Sequence, residues 1–145
     1  MLVRLLYASR AVDGINEAML KAILERSRAH NVERGITGIL CAHHGGNVFL
    51  QALEGSRDEV NALYNSIVRD SRHRDVTLLD YCEIEQRRFA DWRMGSVDLN
   101  KVNRGVILRF SEKPVLDPFA MTGKAALALL EELTASAATI SHEDY

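Results

Sequence analysis

Two cysteines in 145 residues leave little to cross-link or to build a metal cage from. Cys41 and Cys82 are far apart and fit no CxxC or Cys/His spacing, so neither a zinc site nor a structural disulfide is implied. Both lie in apolar runs, where free thiols are ordinary in a reducing compartment. No long hydrophobic run is present. The apolar start Met1-Leu2-Val3 is broken at once by Arg4, too early for a leader or a membrane span, and a cytoplasmic protein is expected. Basic runs are missing too, and the formal net charge is −2. Nucleic acid and anionic membranes are therefore not expected as partners. The phosphate-cradling patterns GxGxxG and GxxxxGK[ST] do not occur, nor does the GxSxG elbow of serine hydrolases. His43-His44 sits in a Gly-rich stretch without a carboxylate at useful spacing, so it reads as a turn and not as a metal site. Only two prolines occur, Pro114 and Pro118, and they mark a connector.

What is present is an ordinary globular balance, 47% hydrophobic and 26% charged, enough for one domain with a core. Residues 2–8 alternate and read as a strand. A turn at 13–16 caps a helix from 17 to about 30, with Met19, Leu20, Ile23 and Leu24 at helical spacing and Asn31 to Gly35 as its stop. Strands follow at 36–42 and 47–53, joined by the His43–Asn47 turn. Ser56-Arg57-Asp58-Glu59 is a capping box, and Val60, Leu63, Tyr64 and Ile67 continue the second helix. Strands at 76–84 and 91–98 complete a β-α-β-β-α-β-β order. This predicts a ferredoxin-like α+β sandwich with both helices on one sheet face. The crossover rule sets the third strand between the first two. An Ala/Leu-rich helix at 123–135 lies in a tail expected to cover the other face, and residues 140–145 read as frayed.

Alternation along the strands singles out a few residues. Val3, Leu5 and Tyr7 share a face of the first strand, as do Asn47, Phe49, Gln51 and Leu53 of the third and Trp92, Met94 and Ser96 of the fifth. If these faces coincide, Tyr7, Gln51, Trp92 and Met94 converge beneath the helices, where a phenol and an amide need partners. A plainer reading stands beside this one. Tyr7 then reaches solvent, Trp92 and Met94 are core, His30-Asn31 is a helix C-cap, and Asp70, Arg72 and His73 form a solvated helix end.

Six segments in order carry a resemblance: Leu6-Tyr7-Ala8-Ser9, Ser27-Arg28-Ala29-His30-Asn31, Gly35-Ile36-Thr37-Gly38-Ile39-Leu40, Phe49-Leu50-Gln51-Ala52-Leu53-Glu54-Gly55, Asp70-Ser71-Arg72-His73 and Arg88-Phe89-Ala90-Asp91-Trp92-Arg93-Met94. Together they resemble the BLUF family, sensors of blue light using FAD. The resemblance implies a flavin-binding domain over residues 1–100, with the ring between the two helices, and a C-terminal helical extension over 101–145 packing on the sheet. It implies that Tyr7 and Gln51 are the photoactive pair and that Trp92 and Met94 change position with signalling state. Asn31 would hold the polar edge of the flavin, with Ser27 and His30 beside it, Ile23 on its apolar face, and Asp70, Arg72 and His73 flanking it. Ser66 departs from the relatives that carry a basic residue there. The implied protein is a short, stand-alone photoreceptor and not an enzyme. It would bind FAD non-covalently, self-associate and signal to a separate effector protein. Two alternatives remain at this point. One is an acylphosphatase-like hydrolase, although its phosphate loop would read Ala8-Ser9-Arg10-Ala11, without a glycine cradle. The other is a light-insensitive ligand-binding module.

Overall fold

The computed structural model describes residues 1–43, 47–99, 102–135 and 139–140. The chain runs β1 (Leu2–Ala11), α1 (Glu17–Arg34), β2 (Thr37–His43), β3 (Val48–Ser56), α2 (Arg57–Arg69), β4 (His73–Ile84) and β5 (Gly95–Asp98). Then follow α3 (Arg104–Leu108), a single 3-10 turn at Pro118–Ala120, α4 (Gly123–Thr134) and β6 (Thr139–Ile140). The strands form one sheet in the order β4-β1-β3-β2-β5-β6. β3 lies between β1 and β2, antiparallel to both, and β5 adds to β2 in parallel. This is the ferredoxin-like α+β arrangement that the element order predicts.

The alternating side chains of the central strands feed two separate cores. Val3, Leu5, Tyr7, Leu40, Phe49 and Leu53 point to one face, where Leu24 of α1 and Val60 of α2 meet them. Leu6, Ile39, Cys41, Leu50 and Ala52 point to the other, where Ala126, Leu129, Leu130 and Leu133 of α4 close over them. β1 and β3 are covered on both sides, which is why they read as nearly continuous apolar runs. Both cysteines are free thiols, and burial on the α4 side pushes the Cys41 thiol up to about 12.

Several boundaries differ from the sequence reading, each for a local reason. α1 does not stop at Asn31. It continues to Arg34 and ends at Gly35, the residue that takes the left-handed conformation (φ 68°) and returns its N–H to Asn31 O. His30-Asn31 is therefore helix interior and not a C-cap. Ser56 caps α2 through Glu59 N, while the Glu59 carboxylate faces Arg34 Nε at 3.8 Å. β5 starts at Gly95 and not at 91, because Trp92 N bonds Phe89 O and the chain turns there. β1 continues to Ala11, so residues 8–11 are strand and not the loop that a phosphate cradle requires. The connector holds α3 and the 3-10 turn, which begins at Pro118 as proline's fixed φ favours. Part of the His43–Asn47 turn, and residues 141–145, lie outside the described residues.

Candidate functional site

α2 rests directly on β1, β3 and β4, but α1 buries only Leu24 and Asn31. The space left between the two helices and the sheet is a cavity of about 250 Å³. Along α1, Ile23, Ser27, His30 and Asn31 recur at i, i+4, i+7 and i+8, one helical stripe, and all four line the cavity. Asp70, Arg72 and His73 enter from the end of α2 and the start of β4, and Tyr7, Gln51 and Met94 come from the sheet side. All nine residues expected to hold a cofactor thus face one space.

Register brings the pair on the sheet together. Tyr7 is the direct antiparallel partner of Gln51, on the same face. The Tyr7 hydroxyl donates to Gln51 Oε1, and Gln51 Nε2 donates to Met94 Sδ at 3.1 Å. Tyr7 is fully buried, and burial holds its pKa well above the ordinary phenol value, with Tyr64 and Asp70 adding to the shift. The phenol is a proton donor at any physiological pH. Gln51 joins it to a thioether, a weak acceptor, and its amide has both a donor and an acceptor end.

Asn31 supplies the clearest sign of a missing partner. Its Nδ2 donates to Arg93 O at 3.2 Å, while its buried Oδ1 has no partner among the described residues. A buried, unpartnered acceptor on a residue that lines a cavity calls for an N–H donor in the ligand. Ile23, Leu40, Phe49, Leu63 and Ile67 supply apolar wall. The opposite end is polar and fixed. Arg72 donates to Asp70 Oδ2 at 2.6 Å, a contact that lowers the Asp70 carboxyl to about 2. His73 Nδ1 pairs with Ser9 Oγ at 2.8 Å, and burial keeps its pKa low, so it is neutral at pH 7. Ser66 lines the cavity with its hydroxyl turned to Ala62 O, and Arg26 lines it from α1.

Trp92 is the one site candidate that parts from the rest. Its ring packs in the α4-side core, over Gly95, where an added Cβ would lie 2.5 Å from Trp92 Cε3. Trp92 departs from strand alternation because residues 91–94 turn instead of extending; Met94 alone of the pair reaches the cavity. The sequence reading missed the apolar walls Leu40, Phe49, Leu63 and Ile67. Phe49 shares Gln51's strand face, and Leu63 and Ile67 were already on the α2 stripe, so the signal was there but looked like core.

A fused aromatic ring whose polar edge carries an N–H between two carbonyls matches this lining: flat apolar walls, an orphan acceptor and a rotatable amide. Residues 2–95 match the family model described as sensors of blue light using FAD. The beta subunit of the photoactivated adenylate cyclase of Euglena gracilis is 34% identical over 96 residues, which is 66% of this chain and 11% of that protein. The solved structure of BlsA in its photo-activated state matches with TM-score 0.84 at 30% identity, covering 97% of this chain and all of BlsA. The dark-state structure of BlrB, a BLUF protein, matches with TM-score 0.76 at 32% identity, covering 92% of this chain and 95% of BlrB. The chain belongs to the BLUF family, whose members sense blue light using FAD. It spans about a tenth of the length of the cyclase subunits that it matches.

Proposed function

We propose that Tyr7 and Gln51 are the photoactive pair of this sensor, and that its output is a change in hydrogen bonding and not a turned-over substrate. Bound FAD, held non-covalently, supplies the chromophore and, once excited, a strong oxidant. The chain's own residues do the rest. Tyr7 gives up an electron, and its proton leaves through the O–H that faces Gln51 Oε1. Gln51 relays that proton and rotates or tautomerises, so that its donor and acceptor ends exchange. Tyr7 then recovers its electron and proton, and the altered amide remains. Where the amide rotates, its oxygen faces Met94 Sδ, two acceptors in contact, and Met94 is driven to move. Asn31 Oδ1 orients the ring edge, and the Asp70–Arg72 pair and neutral His73 close the far end of the cavity.

The observation that carries this reading is the continuous chain Tyr7–Gln51–Met94 on the cavity wall. The volume of this open cavity suits the ring better than a whole dinucleotide, so the grip is mainly on the ring. We further infer that the protein is not itself an enzyme, works in the cytoplasm, self-associates and passes its signal to a separate effector protein. No helix among the described residues is long and apolar enough to cross a membrane. The relatives named above include cyclase subunits, and the blue light- and temperature-regulated antirepressor BluF of Escherichia coli is 31% identical over 111 residues. Light-dependent output through partners or fused domains fits those names.

The test is the visible spectrum of the purified protein before and after a blue flash, followed in darkness. A flavin band that shifts slightly red and returns is expected. Bleaching would reject the Tyr7/Gln51 mechanism. Tyr7→Phe and Gln51→Leu should each abolish the reversible shift while retaining flavin.

A further inference from the structure

α1 meets the sheet along the stripe that carries its two buried residues, Leu24 and Asn31. Arg28 lies on that stripe, four residues after Leu24 and three before Asn31, where an amphipathic helix normally places an apolar side chain. It is half-buried and stands outside the cavity lining. Its guanidinium reaches the main-chain oxygen of Met94, with Nε at 3.3 Å and Nη2 at 3.1 Å. Asn31 Nδ2 takes the preceding carbonyl, Arg93 O. Ladder pairing of β5 with β2 begins only at Gly95, so α1 side chains hold two consecutive carbonyls just before the strand.

Met94 is thus held at two points, its main chain by Arg28 and its sulfur by Gln51. The two grips differ in strength. A thioether is a weak acceptor. A carbonyl receiving two N–H groups of a cation makes a charge-assisted contact, about twice as strong as a neutral one. The sulfur contact is the weaker of the two, and core packing around the buried side chain adds to it.

We propose that Arg28 is a positioning residue that latches Met94 opposite the Gln51 amide, and that this latch sets how long the light-induced arrangement lasts. The inference rests on the sensor reading above. Met94 is 1% exposed and packed in the helix-side core, which leaves its side chain little room to swing alone, so its departure from Gln51 carries residues 93–95 with it and breaks the guanidinium–carbonyl contact. The latch therefore favours the arrangement seen here over the shifted one. Removing it favours the shifted arrangement and slows the return. Lysine offers a point charge in place of a fork and restores the latch in part.

The experiment uses the full-length protein loaded with FAD, as wild type, Arg28→Met and Arg28→Lys. Flavin spectrum, thermal midpoint, dark recovery after a blue flash and dark-state amide exchange are measured on each. For Arg28→Met we expect an unchanged dark spectrum and recovery slowed about tenfold, the loss of one charge-assisted contact. Faster exchange at Gly95 and Ser96 should accompany it, and Arg28→Lys should fall between the two. An unchanged or faster recovery in Arg28→Met overturns the proposal. If Arg28→Met does not retain flavin, Arg28→Lys decides by the same sign. If the wild type shows no reversible shift, the sensor reading fails, and the latch then stands or falls on dark exchange at Gly95 and Ser96.

Discussion

Replacing Glu54 with Gln asks how the segment leading to Trp92 and Met94 is anchored at its other end. Glu54 is wholly buried, and its carboxylate accepts from Arg4 Nη1 at 3.3 Å, Arg88 N at 3.0 Å and Phe89 N at 2.7 Å. An ionised carboxylate is all acceptor, whereas an amide replaces one oxygen with a donor. Whichever way the Gln is turned, an N–H meets an N–H, either of Arg4 or of the 88–89 peptides. A buried donor left unmatched costs about 1–3 kcal/mol. Stripping Arg4 of its counter-charge moves the total toward the roughly 3–5 kcal/mol of a broken buried pair. The two ranges meet near ~3 kcal/mol, which at about 2–4 °C per kcal/mol lowers the thermal midpoint by roughly 6–12 °C. Calorimetry of wild type and Glu54→Gln at neutral pH measures it directly. The double replacement Arg4→Met/Glu54→Leu should regain only part of the loss. An apolar pair can stand in for a buried ion pair, but the Arg88 and Phe89 N–H groups stay unmatched. A Glu54→Gln midpoint within about 2 °C of wild type would refute the anchoring role.

Gly95→Ala places a methyl group 2.5 Å from Trp92 Cε3 and 2.7 Å from Ile39 Cδ1. The indole must leave its seat, and since Trp92 is the sole tryptophan, its emission should move to the red; unaltered emission would contradict the packing. Gly38→Ala puts Cβ 2.1 Å from Ala52 O, so the β2–β3 ladder beside Gln51 has to open. We expect a loss of ~1–3 kcal/mol in urea unfolding together with lower flavin occupancy. Acidification should lower the thermal midpoint in two stages. His73 has a folded pKa below its unfolded value of 6.5, so its contribution is present above 6.5 and lost as pH falls through the lowered value. Asp70, held at about 2 against 3.8, contributes above pH 3.8 and loses that contribution as pH falls toward 2. A midpoint that rises between pH 7 and pH 5 would contradict the His73 assignment.

The central strands and both flanking helices could be read from periodicity because their burial is two-sided or striped, and period is what such burial leaves in a sequence. Alternation set Tyr7 and Gln51 each on one face of its own strand, and the antiparallel register made those faces one and set the two residues opposite each other. Trp92 shows where that logic stops: alternation holds only where the backbone is extended, and residues 91–94 turn back through Phe89. Asn31 shows a second limit. A polar residue near Gly35 looks like a terminator until it is seen that the left-handed turn belongs to the glycine and that the amide is buried. α3 is five residues long and β6 is two, too short to leave a periodic trace. Arg4 and Glu54 were invisible as a pair because 50 residues separate them. The resemblance to the family brought in what alternation could not, namely which of the polar residues belong to one cavity.

The sheet is a single layer with unlike neighbours on its two sides, and adjacent residues of one strand are assigned to opposite sides. Gln51 looks into the cavity, while Leu50 and Ala52, one peptide away, touch the core that α4 completes. Deleting Leu50 would leave composition, charge and strand propensity almost untouched. It would nevertheless exchange the two inventories, sending aliphatic side chains to the cavity and the amide to the tail. The chain therefore tolerates conservative replacement along β3 far better than any change in its count, and the length of that strand encodes the direction in which the molecule faces.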